Sequence, residues 1–162
     1  MGTFAVQIAK AHGAEVTGVD RAGKLEMVRA VGADHIIDFA TNDFTRNRRA
    51  YDLIVDVAAH RPMSAYRRAL RPGGACAIIG GSIPRVFLAL AAGPGLSLLG
   101  SKKVGVSLWR PNNSQDVAFL TQLLQAGSVV PVVDRIFPLG QIAAAFRRFG
   151  AQQHTGKIVI TI

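Results

Sequence analysis

The position with the clearest chemistry is Asp20, which closes the run Glu15-Val16-Thr17-Gly18-Val19-Asp20 and is followed at once by Arg21 and then Lys24. A carboxylate at the end of a short apolar strand can accept hydrogen bonds from both hydroxyls of a nucleotide ribose. The same carboxylate repels a phosphate on the 2′ position, whereas Arg21 and Lys24 are basic groups able to hold one. The competing reading of Asp20 is a solvated residue capping a turn.

Gly2 heads the stretch Gly2-Thr3-Phe4-Ala5-Val6-Gln7-Ile8-Ala9-Lys10. A glycine at a helix start lets a phosphate approach backbone amides that have no partner within the helix; otherwise it is a residue near a terminus. Gly80-Gly81 follow the apolar run that ends at Ile79, either letting a flat nicotinamide ring pass close to the backbone or forming an ordinary strand-to-loop turn. Asp56-Val57-Ala58 close another apolar run, where an adenine or ribose could pack on small groups, with plain core packing as the alternative. His60 reads as an exposed loop histidine. These positions share a place, the C-terminal ends of successive strands, where open α/β sheets bind ligands. No Ser-His-Asp order, carboxylate pair or Cys-His pair supplies a nucleophile or an acid–base couple.

The elements that position these residues follow from periodicity. Short runs rich in β-branched residues alternate with helical patterns, which is the mark of βαβ units and a parallel sheet. Helices are predicted over residues 2–12, 23–31, 62–70, 114–127 and 139–149, with Pro62 and Ser114 as start signals and Gly13, Gly32 and Gly127 as stops. Strands are predicted over 15–20, 35–38, 51–57, 75–80, 103–109, 132–137 and 157–162. Residues 39–49 read as a polar loop with at most one helical turn, and Arg71-Pro72-Gly73-Gly74 as a turn. The strand at 51–57 is apolar on both faces, so it is expected to be covered on both sides.

The chain has 162 residues, 49% of them hydrophobic and 18% charged, which fits one ordinary folded domain and excludes a disordered chain. Its net charge of +9 is spread over short pairs such as Arg48-Arg49, Arg67-Arg68, Lys102-Lys103 and Arg147-Arg148, with few aromatics between them. Scattered pairs of this kind are expected on solvated faces, with a weak anion-binding role as the alternative, and no nucleic-acid partner is expected. The one cysteine, Cys76, sits among apolar residues and reads as a buried thiol. The four histidines lie far apart with no zinc-ligand spacing, so no metal site is expected. The apolar run over 86–100 is interrupted by Gly93-Pro94-Gly95 and is shorter than the roughly 20 residues of a spanning helix, so no membrane insertion is expected. No secretory signal is visible and a cytoplasmic location is the default.

Taken together, GTFAVQIAK, Gly13-Ala14-Glu15-Val16-Thr17-Gly18-Val19, Gly32-Ala33-Asp34, Tyr51-Asp52-Leu53-Ile54-Val55-Asp56, Leu70-Arg71-Pro72-Gly73-Gly74 and Gly156-Lys157-Ile158-Val159-Ile160 resemble the medium-chain dehydrogenase/reductase superfamily, and within it the zinc-free, quinone-oxidoreductase-like branch. The resemblance covers nearly the whole chain. It implies an α/β fold: a Rossmann-like doubly wound parallel sheet over residues 1–133, lacking its first strand, and a tail over 134–162 that belongs with the family's GroES-like catalytic domain. It also implies hydride transfer between NAD(P)H and a carbonyl, quinone or activated alkene as small-molecule substrate. Gly2 then matches the last glycine of the pyrophosphate turn, and Asp20, Arg21 and Lys24 the ribose-recognition region, with a preference for NAD over NADP. Val57 and Ala58 would flank the adenine side, and Ile79, Gly80, Gly81, Leu108 and Trp109 would sit near the nicotinamide.

In that family the first strand lies between the strands at 15–20 and 51–57. Its loss is expected to forfeit on the order of 10 kcal/mol, from about five large side chains at roughly 1.5 to 3 kcal/mol each, and to leave unpaired strand edges. The expectation is therefore a cofactor-binding portion inactive alone, from a misassigned start, a broken gene or a split one. A missing N-terminal half or a homodimer is the expected partner. Two alternatives stand beside it. Leu70-Arg71-Pro72-Gly73-Gly74 also suits an S-adenosylmethionine-dependent methyltransferase, though no antiparallel closing hairpin is visible, and a chain without a catalytic domain can be a non-catalytic remnant.

Overall fold

The computed structural model describes residues 1–81, 83–84, 91, 101–107 and 113–162. Most of the apolar run at 86–100, together with Leu108, Trp109, Pro111 and Asn112, lies outside the described residues. The chain runs α1 (Gly2–Ala11), β1 (Thr17–Asp20), α2 (Ala22–Ala30), β2 (His35–Asp38), a 3-10 turn (Phe44–Arg46), β3 (Tyr51–Asp56), α3 (Met63–Ala69), β4 (Leu70–Ile78), β5 (Lys103–Val106), α4 (Ser114–Gln125), β6 (Val133–Pro138), a second 3-10 turn (Leu139–Gln141), α5 (Ile142–Gly150) and β7 (Lys157–Thr161). Among the described residues every strand pairing is parallel: β1 with β2, β3 with β4, β4 with β5, and β6 with β7. The fold is the mixed α/β, parallel-sheet class expected of a Rossmann-like domain.

The chain divides into two compact units, residues 1–38 with 115–162 and residues 39–114. In the first, β1, α2 and β2 form one β-α-β unit, and the packing explains Gly18: a Cβ there would run into the Val28 side chain, so only glycine lets α2 lie flat on β1. Val28 and Ala33 are buried at this contact. Lys10 Nζ bonds both oxygens of Asp34 at 2.8 and 2.9 Å, and Asp34 in turn accepts the Val16 amide at 2.7 Å, tying the end of α1 to the approaches of β1 and β2. Gln7 pairs with Val130 through its backbone N–H and C=O at 2.8 and 3.0 Å.

The second unit is the three-stranded sheet β3-β4-β5 covered on one face by α3. Pro62 caps α3 in extended conformation, and Met63, Tyr66 and Ala69, three apart, turn one helical face into the core with Ile54, Leu70, Cys76, Ile78 and Val104. Here two expectations change. The turn read at 71–74 lies inside β4: the register jumps from Tyr51↔Leu70 to Leu53↔Ala75, so the intervening residues bulge out, with Gly73 at φ 81°. The strand expected to be covered on both sides is covered on one: Ile54 is buried, whereas Leu53 is 61% and Val55 43% exposed. Strand residues alternate between faces, and α3 packs only on the Ile54 face.

Candidate functional site

Asp20 is the last residue of β1, and the chain turns directly into α2, with Arg21 as N-cap and Lys24 in the first turn. The Arg21 amide donates to Asp20 Oδ1 at 2.8 Å, which fixes the carboxylate. Among the described residues nothing bonds its second oxygen, Oδ2. Gly2 opens α1, exposed, with no atom within 4 Å of where a Cβ would stand.

The structure adds a partner to this corner that the sequence does not announce. Arg21 Nη2 donates to Gln152 Oε1 at 2.7 Å across 131 residues, so the loop before β7 lies against the turn after β1. In the same loop the His154 ring stacks on Phe149, centroids 5.0 Å apart, and its enclosed Nδ1 has no hydrogen-bond partner among the described residues. Burial, and then the charge of Lys24, push the His154 pKa below its ordinary value, so this histidine is held neutral. The loop is fastened by Asp134, whose Oδ1 accepts from the Thr155 amide and hydroxyl at 3.1 and 3.0 Å and from Arg148 Nη2 at 2.9 Å. Arg148 Nε closes the pair on Oδ2 at 2.6 Å. This two-pronged guanidinium contact holds the Asp134 carboxyl far below the usual carboxylate range. No motif spacing marks Gln152 or His154, because their relation to Arg21 and Lys24 exists only after β7 is laid beside β6.

The remaining candidates belong to the other unit. Val57 and Ala58 follow β3, where Asp56 organises the turn: its Oδ1 accepts the Ala58 amide at 2.9 Å and its Oδ2 accepts the Tyr66 hydroxyl at 2.7 Å. Tyr66 is fully buried, and burial, followed by Asp56, raises its pKa well above the ordinary value, so it stays a neutral donor. A buried tyrosine needs such a partner. Ile79 is 42% exposed just past β4. Gly80 and Gly81 follow it, and Ala59 bridges to Gly81, which sits at φ 144°; a Cβ there would meet Ala59 O at 2.5 Å. The need for glycine at 81 is thus set by the chain's own backbone. His60 is exposed. The geometry therefore fixes two pieces, an acid-and-cation corner at Asp20, Arg21 and Lys24, and a backbone-lined turn at residues 57–59 and 79–81, each at the C-terminal end of a parallel strand.

A family model described as zinc-binding dehydrogenase matches residues 31–160. The chain is 29% identical over 164 residues to a chloroplastic quinone-oxidoreductase of Triphysaria versicolor, covering 99% of this chain and 49% of that protein. The solved quinone oxidoreductase of Coxiella burnetii superposes with a TM-score of 0.78 at 17% identity, over 98% of this chain and 48% of the other. A mycobacterial protein complexed with NADPH superposes with a TM-score of 0.76 at 20% identity, over 99% and 53%. The chain thus spans about half the length of the relatives it matches. The methyltransferase alternative is not supported: the matches are to oxidoreductases, and the terminal strand β7 pairs parallel to β6 instead of closing an antiparallel hairpin. Among the described residues no three His, Cys, Asp or Glu side chains come together, so the zinc of the family description has no ligand set there. No helix of the described residues is long and apolar enough to cross a membrane. On this match and this parallel α/β architecture, the chain belongs to the zinc-binding dehydrogenase family of the medium-chain dehydrogenase/reductase superfamily, an oxidoreductase family of quinone-oxidoreductase-like and alcohol-dehydrogenase-like proteins.

Proposed function

We propose that this chain is the nucleotide-binding portion of an NAD(P)-dependent oxidoreductase that moves a hydride to or from a carbonyl, quinone or activated alkene. The observation that carries the reading is Asp20: a carboxylate at the C-terminal end of a parallel strand, fixed through one oxygen by the Arg21 amide and open at the other. That open oxygen accepts from the ribose hydroxyls. Lys24 stands beside it as the phosphate-facing cation, while Arg21 is engaged by Gln152, so the balance at this corner favours NAD over NADP. Gly2 and the first amides of α1 face the pyrophosphate. The turn at Val57 and Ala58 carries the adenine side, and Ile79, Gly80 and Gly81 border the nicotinamide, which supplies or accepts the hydride when bound.

The substrate side of the reaction falls to the half of the relatives' length that this chain does not span. The apolar stripe of α5 supports a docking role for residues 134–162 in that arrangement: Ile142, Phe146 and Phe149, at helical spacing, are 41, 68 and 60% exposed. Titration of the purified chain with NADH and NADPH, followed by cofactor fluorescence, tests the reading. The expected result is saturable binding, tighter for NADH, without turnover of a quinone acceptor. Asp20→Asn should erase the preference for NADH. Absence of binding to both cofactors, with no thermal shift on adding them, would leave a non-catalytic remnant instead.

A further inference from the structure

The charge of this protein is not spread as its sequence suggests. Residues 39–114 hold eleven Lys and Arg against three acidic residues, whereas the other unit holds eight against seven. Within 39–114 the fold then gathers the pairs that look scattered along the chain. Arg46, Arg48 and Arg49 lie in the approach to β3; Arg67, Arg68 and Arg71 lie where α3 passes into β4; Lys102 and Lys103 begin β5. Backbone bonds lock these three segments together, from the Arg49 amide to Arg68 O at 3.1 Å and from the Ala50 amide to Ala69 O at 2.8 Å. Side chains do the same: Lys102 Nζ donates to Arg67 O at 2.6 Å, Arg67 Nη1 to Lys102 O at 3.3 Å, and Arg68 Nε to Thr45 O at 3.2 Å. All belong to one end of one sheet, the N-terminal ends of β3, β4 and β5.

The acids at this end are spent. Asp52 pairs with Arg71 at 2.6 Å, and Asp43 pairs with Arg61 at 3.4 Å while accepting from Thr45. Asp56, the third, closes β3 at its other end. Arg46, Arg48, Arg49 and Lys103 are exposed and, among the described residues, have no carboxylate within ion-pair distance. Six strand residues at about 3.3 Å each separate this edge by roughly 20 Å from the turn at Val57 and Ala58, so the basic edge and the cofactor-facing end of this sheet are different places.

We infer that the edge is a second binding surface, for the phosphate backbone of a double-stranded nucleic acid. Clustered, unpaired cations on one face are the electrostatic footprint of such binding, and arginine, which predominates here, matches phosphate with two parallel donors. The aromatic residues near this edge are turned away from solvent: Tyr66 is buried, and Phe44 and Tyr51 pack on the core. Neither Tyr51, Phe44 nor Tyr66 thus offers an exposed aromatic platform to unpaired bases at this edge, which favours contact with a duplex backbone over stacking on a single strand. Gathered into one row, the cations give the clustering that the sequence alone does not show.

The test is fluorescence anisotropy of a short mixed-sequence DNA duplex titrated with the full 162-residue chain at about 50 and 200 mM salt. Binding should weaken steeply with salt. The triple variant Arg48→Gln, Arg49→Gln, Lys103→Gln should bind at least about tenfold more weakly and flatten the salt slope by about 0.9 for each phosphate no longer neutralised. The control Arg29→Gln, Arg135→Gln, Arg147→Gln removes the same charge from the other unit and should leave affinity within about twofold, as expected if a clustered row of cations rather than net charge holds the duplex. Amide-exchange protection of residues 46–50 and 101–103 by duplex in the unaltered chain reports the same binding without any substitution. Equal weakening in both triple variants would reduce the effect to net charge and overturn the proposal. Binding to phosphatidylserine vesicles with none to duplex would overturn it in favour of a membrane surface.

Discussion

The two units use the same parallel β-α grammar and are held together by different physics. Residues 39–114 bury a contiguous apolar cluster, with Tyr66, Leu70, Ile78 and Val104 almost wholly removed from water. Among the described residues, the unit of residues 1–38 and 115–162 buries fewer groups, Val28, Ala33, Val129, Phe137 and Ala145, and leans more heavily on polar ties between distant segments. Lys10–Asp34, Gln7–Val130, Arg21–Gln152 and Asp134–Arg148–Thr155 are those ties. Where volume holds a unit, the sensitive positions are large apolar side chains; where satisfied charge holds it, they are carboxylates.

The comparison is sharpest in a pair of deletions. Asp134→Ala strips the bonds to Arg148 and Thr155 from a side chain only 4% exposed and leaves Arg148, 25% exposed, without its anion. Removing one partner of such a half-buried, charge-assisted set of bonds costs about 1.5–3 kcal/mol. Leu70→Ala opens a cavity in the other unit, at about 2–5 kcal/mol. Denaturant melts give the totals, and amide exchange assigns them: protection should fall first in β6 and β7 for Asp134→Ala, and in α3 and β4 for Leu70→Ala. Loss of protection in both units from either variant would mean that the two modes of closure are not separate.

Acid and alkali should separate the units next. Asp134, with its pKa depressed by Arg148, adds stability above the ordinary carboxylate value of 3.8 that is lost as pH falls through its lower folded value. His154, held neutral by burial, adds an earlier loss: below its ordinary 6.5 the unfolded chain takes up a proton that the folded loop resists, so stability falls as pH drops. In the other unit Asp43 is also held low, first by its bond from Thr45, but the two groups buried in the core shift upward. The Cys76 thiol, raised by burial from 9.0 to about 12, stays protonated when folded, so stability falls as pH rises above 9. Tyr66 acts in the same direction from 10.0 upward. Exchange protection, corrected for intrinsic rates, should therefore fade in β6 and β7 toward low pH and in α3 and β4 toward high pH.

A smaller effect tests how the turn after β3 is held. Tyr66→Phe keeps the ring in the core and removes only the hydroxyl, leaving Asp56 Oδ2 without its donor at about 1–3 kcal/mol. Its signature is loss of order at residues 57–59, measured by exchange, with the core of the sheet retained.

What the sequence discloses follows the range of each interaction. Short apolar runs locate the seven strands of the described residues, β2 at its observed limits and β4 without its first five residues, because that pattern is local. Asp20 is legible because a carboxylate ending an apolar strand needs no distant partner to be noticed. The Arg21–Gln152 and Arg148–Asp134 pairs are not, because they join segments that meet only in the folded chain. Gly18 is opaque for the same reason, its requirement being the Val28 side chain of the following helix. The apolar faces of Leu53 and Val55 mislead, since composition shows that a side chain is apolar and not whether anything covers it. The basic edge is the clearest case, since strand order and not spacing brings Arg48, Arg68 and Lys103 to one end of a sheet.

Lys10→Gln should have the least effect, and that marks the limit of the polar-tie description. The Lys10–Asp34 pair is short, 2.8 Å, but both side chains are about a third exposed, at 34 and 36%. Water and salt screen such a pair to a small fraction of what an enclosed one contributes. Asp34 also keeps its bond to the Val16 amide when Lys10 is gone, so the approach to β1 stays fastened. The small loss should shrink further as added salt screens the charge, which a melt at low and high ionic strength reads directly. A loss as large as that of Asp134→Ala would mean that the end of α1 carries the unit's closure, and that β6 and β7 merely follow it.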